Sequence, residues 1–205
     1  MFRLRAVLGL LAAPLLAGSV WAGEYNETLS IGDQAPAWED LPGVDGKKHS
    51  LGDIDAELVA VVFTCNSCPV ATDYEDRIIA LAKKHAAPKK FAIVAINVNR
   101  VAEDSLPKMK ERAEQKGFPF TYLFDESQQI AKDFGAAFTP EFFLLDKDRR
   151  VVYMGGMDDN SNPKLAKKQF LQDAIEAVSA GKKPAVQETV AIGCRVRYVR
   201  QRKAK

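Results

Sequence analysis

The apolar run Leu58-Val59-Ala60-Val61-Val62-Phe63 is followed, after Thr64, by Cys65-Asn66-Ser67-Cys68, and a helical pattern begins at the cysteines. A buried strand that hands two thiols to the start of a helix restricts both the fold and the chemistry open to the chain. The helix start offers unpaired N–H groups and roughly half a positive charge, both of which favour thiolate over thiol. Two intervening residues let the sulfurs close a small, reversible disulfide. The pattern points to redox exchange. Cys65, at the mouth of the predicted helix, is expected to be the more exposed and more acidic thiol and the attacking one, with Cys68 one turn inside as the resolving one.

Other uses of such a pair fit less well. A tetrahedral zinc site takes four ligands, commonly two CxxC pairs. Here only Cys194, His49 and His85 remain, so no metal is expected. Covalent haem needs a histidine after the second cysteine, where Pro69 stands. An inert structural disulfide stays open, because it accounts for the cysteines although not for their placement between strand and helix.

The N-terminus predicts the compartment. Met1-Phe2-Arg3-Leu4-Arg5 forms a short basic region, an apolar stretch runs from Ala6 to Val20, and Val20-Trp21-Ala22 has the small residues of a cleavage site. Residues 1–22 therefore read as a signal peptide cut after Ala22. The apolar stretch falls short of the ~20 residues of a spanning helix, and Pro14 interrupts it. Export to a bacterial periplasm, or secretion, follows, and there disulfide exchange is routine.

The rest of the chain has the size of one domain, expected over 23–190, with a basic tail over 191–205. Of 29 basic residues, the loss of Arg3 and Arg5 leaves 27 against 27 acidic ones, a balance that argues against nucleic acid as a partner. Arg195, Arg197, Arg200, Arg202, Lys203 and Lys205 crowd the end. Such a tail is expected to be solvated and frayed, with at most a weak contact to anionic lipid or an acidic partner.

Along the domain, patterning alternates between α and β. Asp45-Gly46-Lys47 marks a turn between two short extended pieces. Val70, Tyr74, Ile78, Leu81 and Ala82 keep helical spacing within a helix expected from about Cys65 to His85. Phe91 to Ile96 reads as a second buried strand, Glu103 to Gly117 as a helix, Phe120 to Phe124 as a short strand, and Glu126 to Phe134 as a short helix. Glu141–Leu145 and Val151–Met154 form a hairpin across a polar turn, and a last helix runs from about Pro163 to Ala180 with Gly181 as its cap. Asp158-Asp159-Asn160 lacks the remaining spacing of a calcium loop and reads as a solvated turn.

Several segments together resemble one family. They are Gly32-Asp33-Gln34-Ala35-Pro36, Phe63 to Pro69, Tyr74-Glu75-Asp76-Arg77, Ala95 to Asn99, Tyr122 to Glu126, Thr139 to Leu144 and Gly193-Cys194. In this order the chain resembles the redoxin branch of the thioredoxin superfamily, and most closely its exported peroxiredoxin-like members. The resemblance implies an α/β thioredoxin-like fold: a central mixed sheet flanked by helices, with an N-terminal β-hairpin and an inserted helix. It also implies that Thr139-Pro140 is cis beside the CxxC, with the Thr139 backbone meeting a substrate chain. From the sequence alone, Pro140 is simply a proline allowed at a strand start.

Thiol–disulfide exchange through a mixed disulfide and a Cys65–Cys68 bond is the expected activity, with protein dithiols or disulfides as partners and a thiol electron donor. No metal, nucleotide or flavin site is visible. The runner-up is a thiol peroxidase. The peroxide pocket of peroxiredoxins carries a PxxxTxxC motif, and counting back from Cys68 finds Cys65 and Val61, while counting from Cys65 finds Val62 and Leu58. A copper-handling module of the same fold needs a downstream histidine, and none follows His85. The thioredoxin-type buried acid six residues before the first cysteine is also missing, since Val59 stands there. Cys194 is left over. It is expected to be a small buried hydrophobe that anchors the tail, with a third redox thiol as the alternative.

Overall fold

The computed structural model describes residues 23–199 of the 205-residue chain. The signal peptide expected at 1–22, and Arg200, Arg202, Lys203 and Lys205 of the basic tail, lie outside the described residues. Two-residue strands β1 (Leu41–Pro42) and β2 (Lys48–His49) pair as the expected hairpin around Asp45-Gly46. Then come β3 (Leu58–Phe63), α1 (Pro69–Lys84), β4 (Phe91–Asn97), α2 (Leu106–Lys116), β5 (Thr121–Phe124) and a short inserted helix α3 (Gln129–Asp133). The chain continues through β6 (Phe138–Thr139), β7 (Glu141–Leu145), β8 (Val151–Gly155), α4 (Phe170–Ser179) and β9 (Cys194–Arg195). The central sheet has the order β5-β4-β3-β7-β8; β3, β4 and β5 are parallel, and β7 and β8 run antiparallel to their neighbours. It is the mixed α/β sheet that the resemblance implied.

β3 explains why its sequence shows no polar break. All six residues are buried, and their alternation divides them between two cores. Val59, Val61 and Phe63 face Phe134, Phe143 and Trp38, while Leu58, Ala60 and Val62 face Tyr74 and Ile78 of α1 and Leu171 and Ile175 of α4. Each of the larger apolar side chains so enclosed contributes about 1.5–3 kcal/mol. The helix α1 turns Ala71, Tyr74, Ile78 and Leu81 inward, one stripe at three- and four-residue spacing.

Three expectations shift. The helix predicted from Cys65 starts only at Pro69, because proline suits the first helical position and Cys68 caps it. Residues 103 and 104 are not the start of α2 but belong to a separate 3₁₀ turn, Ala102–Asp104, and Ser105 separates it from α2. The last helix begins at Phe170 instead of Pro163.

In the turn expected to be solvated at Asp158-Asp159-Asn160, Asp158 is a buried anchor. Asp158 receives Tyr74 Oη at 2.8 Å and an ion pair from Arg77, both on α1, and the Arg77 guanidinium also reaches the Ser161 carbonyl at 2.5 Å. The tail differs too. Residues 194–199 do not fray, because Val196 is buried, the Val196 N–H bonds Ala137 O at 2.9 Å, and Tyr198 Oη donates to Ala136 O at 2.6 Å.

Candidate functional site

Thr64 N–H still bonds Ile96 O at 3.0 Å, so the chain leaves the end of β3 along the sheet before turning at Asn66-Ser67. That turn is held from below. Asp104, fully buried, accepts Asn66 N–H at 2.7 Å and Ser67 N–H at 3.1 Å on one oxygen, and Ser67 Oγ at 2.5 Å on the other. Asn97 Nδ2 reaches the same carboxylate at 3.2 Å. The Asn66 side chain is fixed in turn, donating to Glu103 O at 3.0 Å and accepting from Tyr122 Oη at 3.1 Å. A buried charge is tolerable only when its oxygens are filled in this way. Asp104 thus sits where sequence reasoning saw no acid; no motif marks it, since it reads as one more polar residue in the first turn of a helix.

Cys65 and Cys68 pack together with Ala71, and all three cysteines are free thiols. Both members of the pair are 3% exposed, so the expected difference in exposure is absent. The helix start favours the other member of the pair. Because α1 begins at Pro69, its N-terminus serves Cys68: Ala71 N–H donates to Cys68 Sγ at 3.3 Å. A hydrogen bond from Cys65 and this helix N–H hold the Cys68 thiol well below the ordinary range. Cys65 is pushed up, first by that shared hydrogen bond, then by burial, with the charge of Asp104 adding to it. The start of α1 thus favours the thiolate at Cys68 over Cys65. Iodoacetamide applied to the reduced protein at pH 6 is expected to label Cys68 ahead of Cys65; faster labelling of Cys65 would return the attacking role to it.

Thr139-Pro140 lies against the pair and is cis. Cys65 Sγ is 3.5 Å from Thr139 Oγ1, and Cys68 Sγ is 3.2 Å from the Thr139 carbonyl oxygen. Glu141 follows, buried, its Oε2 accepting Ala137 N–H at 2.7 Å and Phe138 N–H at 2.9 Å. Burial pushes its carboxyl above the usual range. Glu141 shapes the approach to β6 and was legible only as a residue in an apolar strand.

Cys194 is also here. β9 pairs antiparallel with β6 so that Cys194 stands opposite Thr139, whose Oγ1 donates to Cys194 O at 3.5 Å. The Thr139 backbone, which the resemblance assigns to a substrate chain, is thus paired with the chain's own segment. Cys194 packs against the Cys65–Cys68 group and is half-buried, not enclosed as expected. His85, at the far end of α1, contacts Gln172 and Phe91 and takes no part.

A model of the AhpC/TSA family matches residues 31–154, which span β3, both cysteines of the pair and the cis peptide. A thiol-disulfide oxidoreductase ResA of Geobacillus thermodenitrificans is 26% identical over 155 residues, covering 72% of this chain and 83% of the relative. Among solved structures, an uncharacterized conserved protein of Geobacillus kaustophilus is similar with a TM-score of 0.80 and 32% identity, over 86% of this chain and 96% of that one. A hypothetical protein of Sinorhizobium meliloti matches with a TM-score of 0.78 and 32% identity, over 85% and 97% respectively.

Proposed function

Since the chain belongs to the AhpC/TSA family, we propose that it is a thiol–disulfide oxidoreductase working through Cys65 and Cys68. The observation that carries this reading is the packing of the Cys65 and Cys68 thiols together at the start of α1, with Ala71 N–H donating to Cys68 Sγ at 3.3 Å, beside the cis Thr139-Pro140 step. The name of the ResA relative supports it. The Cys68 thiolate attacks one sulfur of a partner protein's disulfide, and the partner's other sulfur leaves as a thiolate. Cys65 gives up its proton and attacks Cys68 Sγ, which releases the second partner thiol and leaves a Cys65–Cys68 disulfide. An external dithiol returns the pair to its reduced form. Thr139 and Pro140 form the wall against which the partner's sulfur is presented. The leader read in residues 1–22 supports an exchange outside the cytoplasm, in the periplasm or medium.

Titration of the pair against reduced and oxidised glutathione tests the proposal. The expected result is reversible formation of the 65–68 bond at a potential between roughly −300 and −120 mV, the range of exchanging dithiols. A value well below about −300 mV would make the disulfide an inert staple, and no bond at all would remove the proposal.

A further inference from the structure

We infer that Cys194 is a third exchange thiol, presented by β9 as an internal partner, which takes the disulfide over by bonding to Cys68. The inference rests on the reading of Cys65 and Cys68 as an exchanging pair.

Position is the first argument. Cys194 stands in register opposite Thr139, the residue that also touches both other sulfurs. Its side chain packs on their cluster. The second argument is that the placement is built. Any side chain at Gly193 would run into the Thr139 carbonyl, so glycine is what lets β9 lie on the Thr139-Pro140 step. Beyond Cys194 the segment is pinned: Gln128 Nε2 donates to Arg197 O at 3.1 Å and Val199 N–H donates to Gln128 Oε1 at 2.8 Å. Arg195 lies over the Phe138 ring, 5.4 Å from its centroid. A cysteine serving only as filler needs neither the register nor the glycine.

Accessibility gives the step its use. Cys65 and Cys68 are buried, whereas Cys194 is half-exposed. In the oxidised chain, Cys194 loses its proton and attacks Cys68 Sγ, the Cys65–Cys68 bond breaks, and Cys65 leaves as a thiolate that takes up a proton. One disulfide and one thiol exist before and after, so no further oxidant is needed. The disulfide has moved to where an external dithiol can reach it.

Cys65→Ser, treated with oxidised glutathione and digested without reduction, separates the outcomes. Expected is the loss of both remaining free thiols and a peptide linked Cys68–Cys194, since Cys194 displaces glutathione from Cys68. A glutathione adduct that persists on Cys68 with Cys194 free would overturn the inference while leaving the proposed function intact. No reaction would overturn it as well. The unaltered chain supplies a second measurement that needs no variant: oxidised and quenched in acid, it is expected to show the 68–194 link beside the 65–68 link. Only 65–68 there refutes the third thiol alone, and neither link refutes the exchanging pair.

Discussion

Cys68→Ala is expected to bring disulfide reduction down to the uncatalysed rate, a loss on the order of a thousandfold or more. The reason is the position of the helix. Cys68 caps α1 and receives the Ala71 N–H, which favours the thiolate there, and alanine leaves only Cys65, whose thiol is pushed up by burial and the charge of Asp104. Reduction of insulin by dithiothreitol, followed as turbidity with and without the protein, reads the effect. Turnover close to that of the unaltered chain would remove Cys68 from the chemistry. The double variant Cys65→Ser, Cys194→Ser makes the complementary case. It keeps the attacking sulfur and lacks both thiols able to release the partner, so mixed disulfides should accumulate on Cys68.

Asp158→Ala should give the largest loss of stability, about 3–5 kcal/mol, because it leaves a buried ion pair with one member. The Asp158 side chain is 0% exposed and that of Arg77 16%, so little water is at hand to replace the carboxylate. Tyr74 Oη and the Asn160 N–H lose their acceptor at the same time. Urea unfolding checks this. A shift below about 1 kcal/mol would put the pair among weakly contributing surface bridges. Because Tyr74 and Arg77 both belong to α1, the same change should also loosen the helix that carries Cys68.

Much of the architecture was legible in the chain. The unbroken apolar runs at 58–63 and 91–96 could only be strands covered on both faces, and they pair in parallel as neighbours in the sheet. The polar turn after Leu145 gave the hairpin. The cysteine pair was visible because its spacing is local. What escaped was set by contacts distant in sequence. Asp104 meets Asn66 and Ser67 from 37 or more residues away, and Asp158 meets Arg77 across 81. Neither carboxylate differs in local pattern from a turn residue. The helix start escaped for a narrower reason: it was placed at Cys65, and a shift to Pro69 hands its N–H groups to the other cysteine. Cys194 could be counted but not located, since its neighbourhood depends on a two-residue strand closing on Thr139.

That closure has a bearing on which molecules the site admits. A tethered strand competes for the Thr139 edge at an effective concentration of the order of millimolar, whatever the dilution of the protein. A partner polypeptide that uses the same edge must outbid it, and its apparent affinity falls in proportion to the fraction of molecules in which β9 has lifted away. Compact disulfides that need no backbone pairing escape this toll. Selectivity would then come from the lifetime of one short strand, and substitutions at Gly193, which carries no reacting group itself, would widen the range of chains accepted.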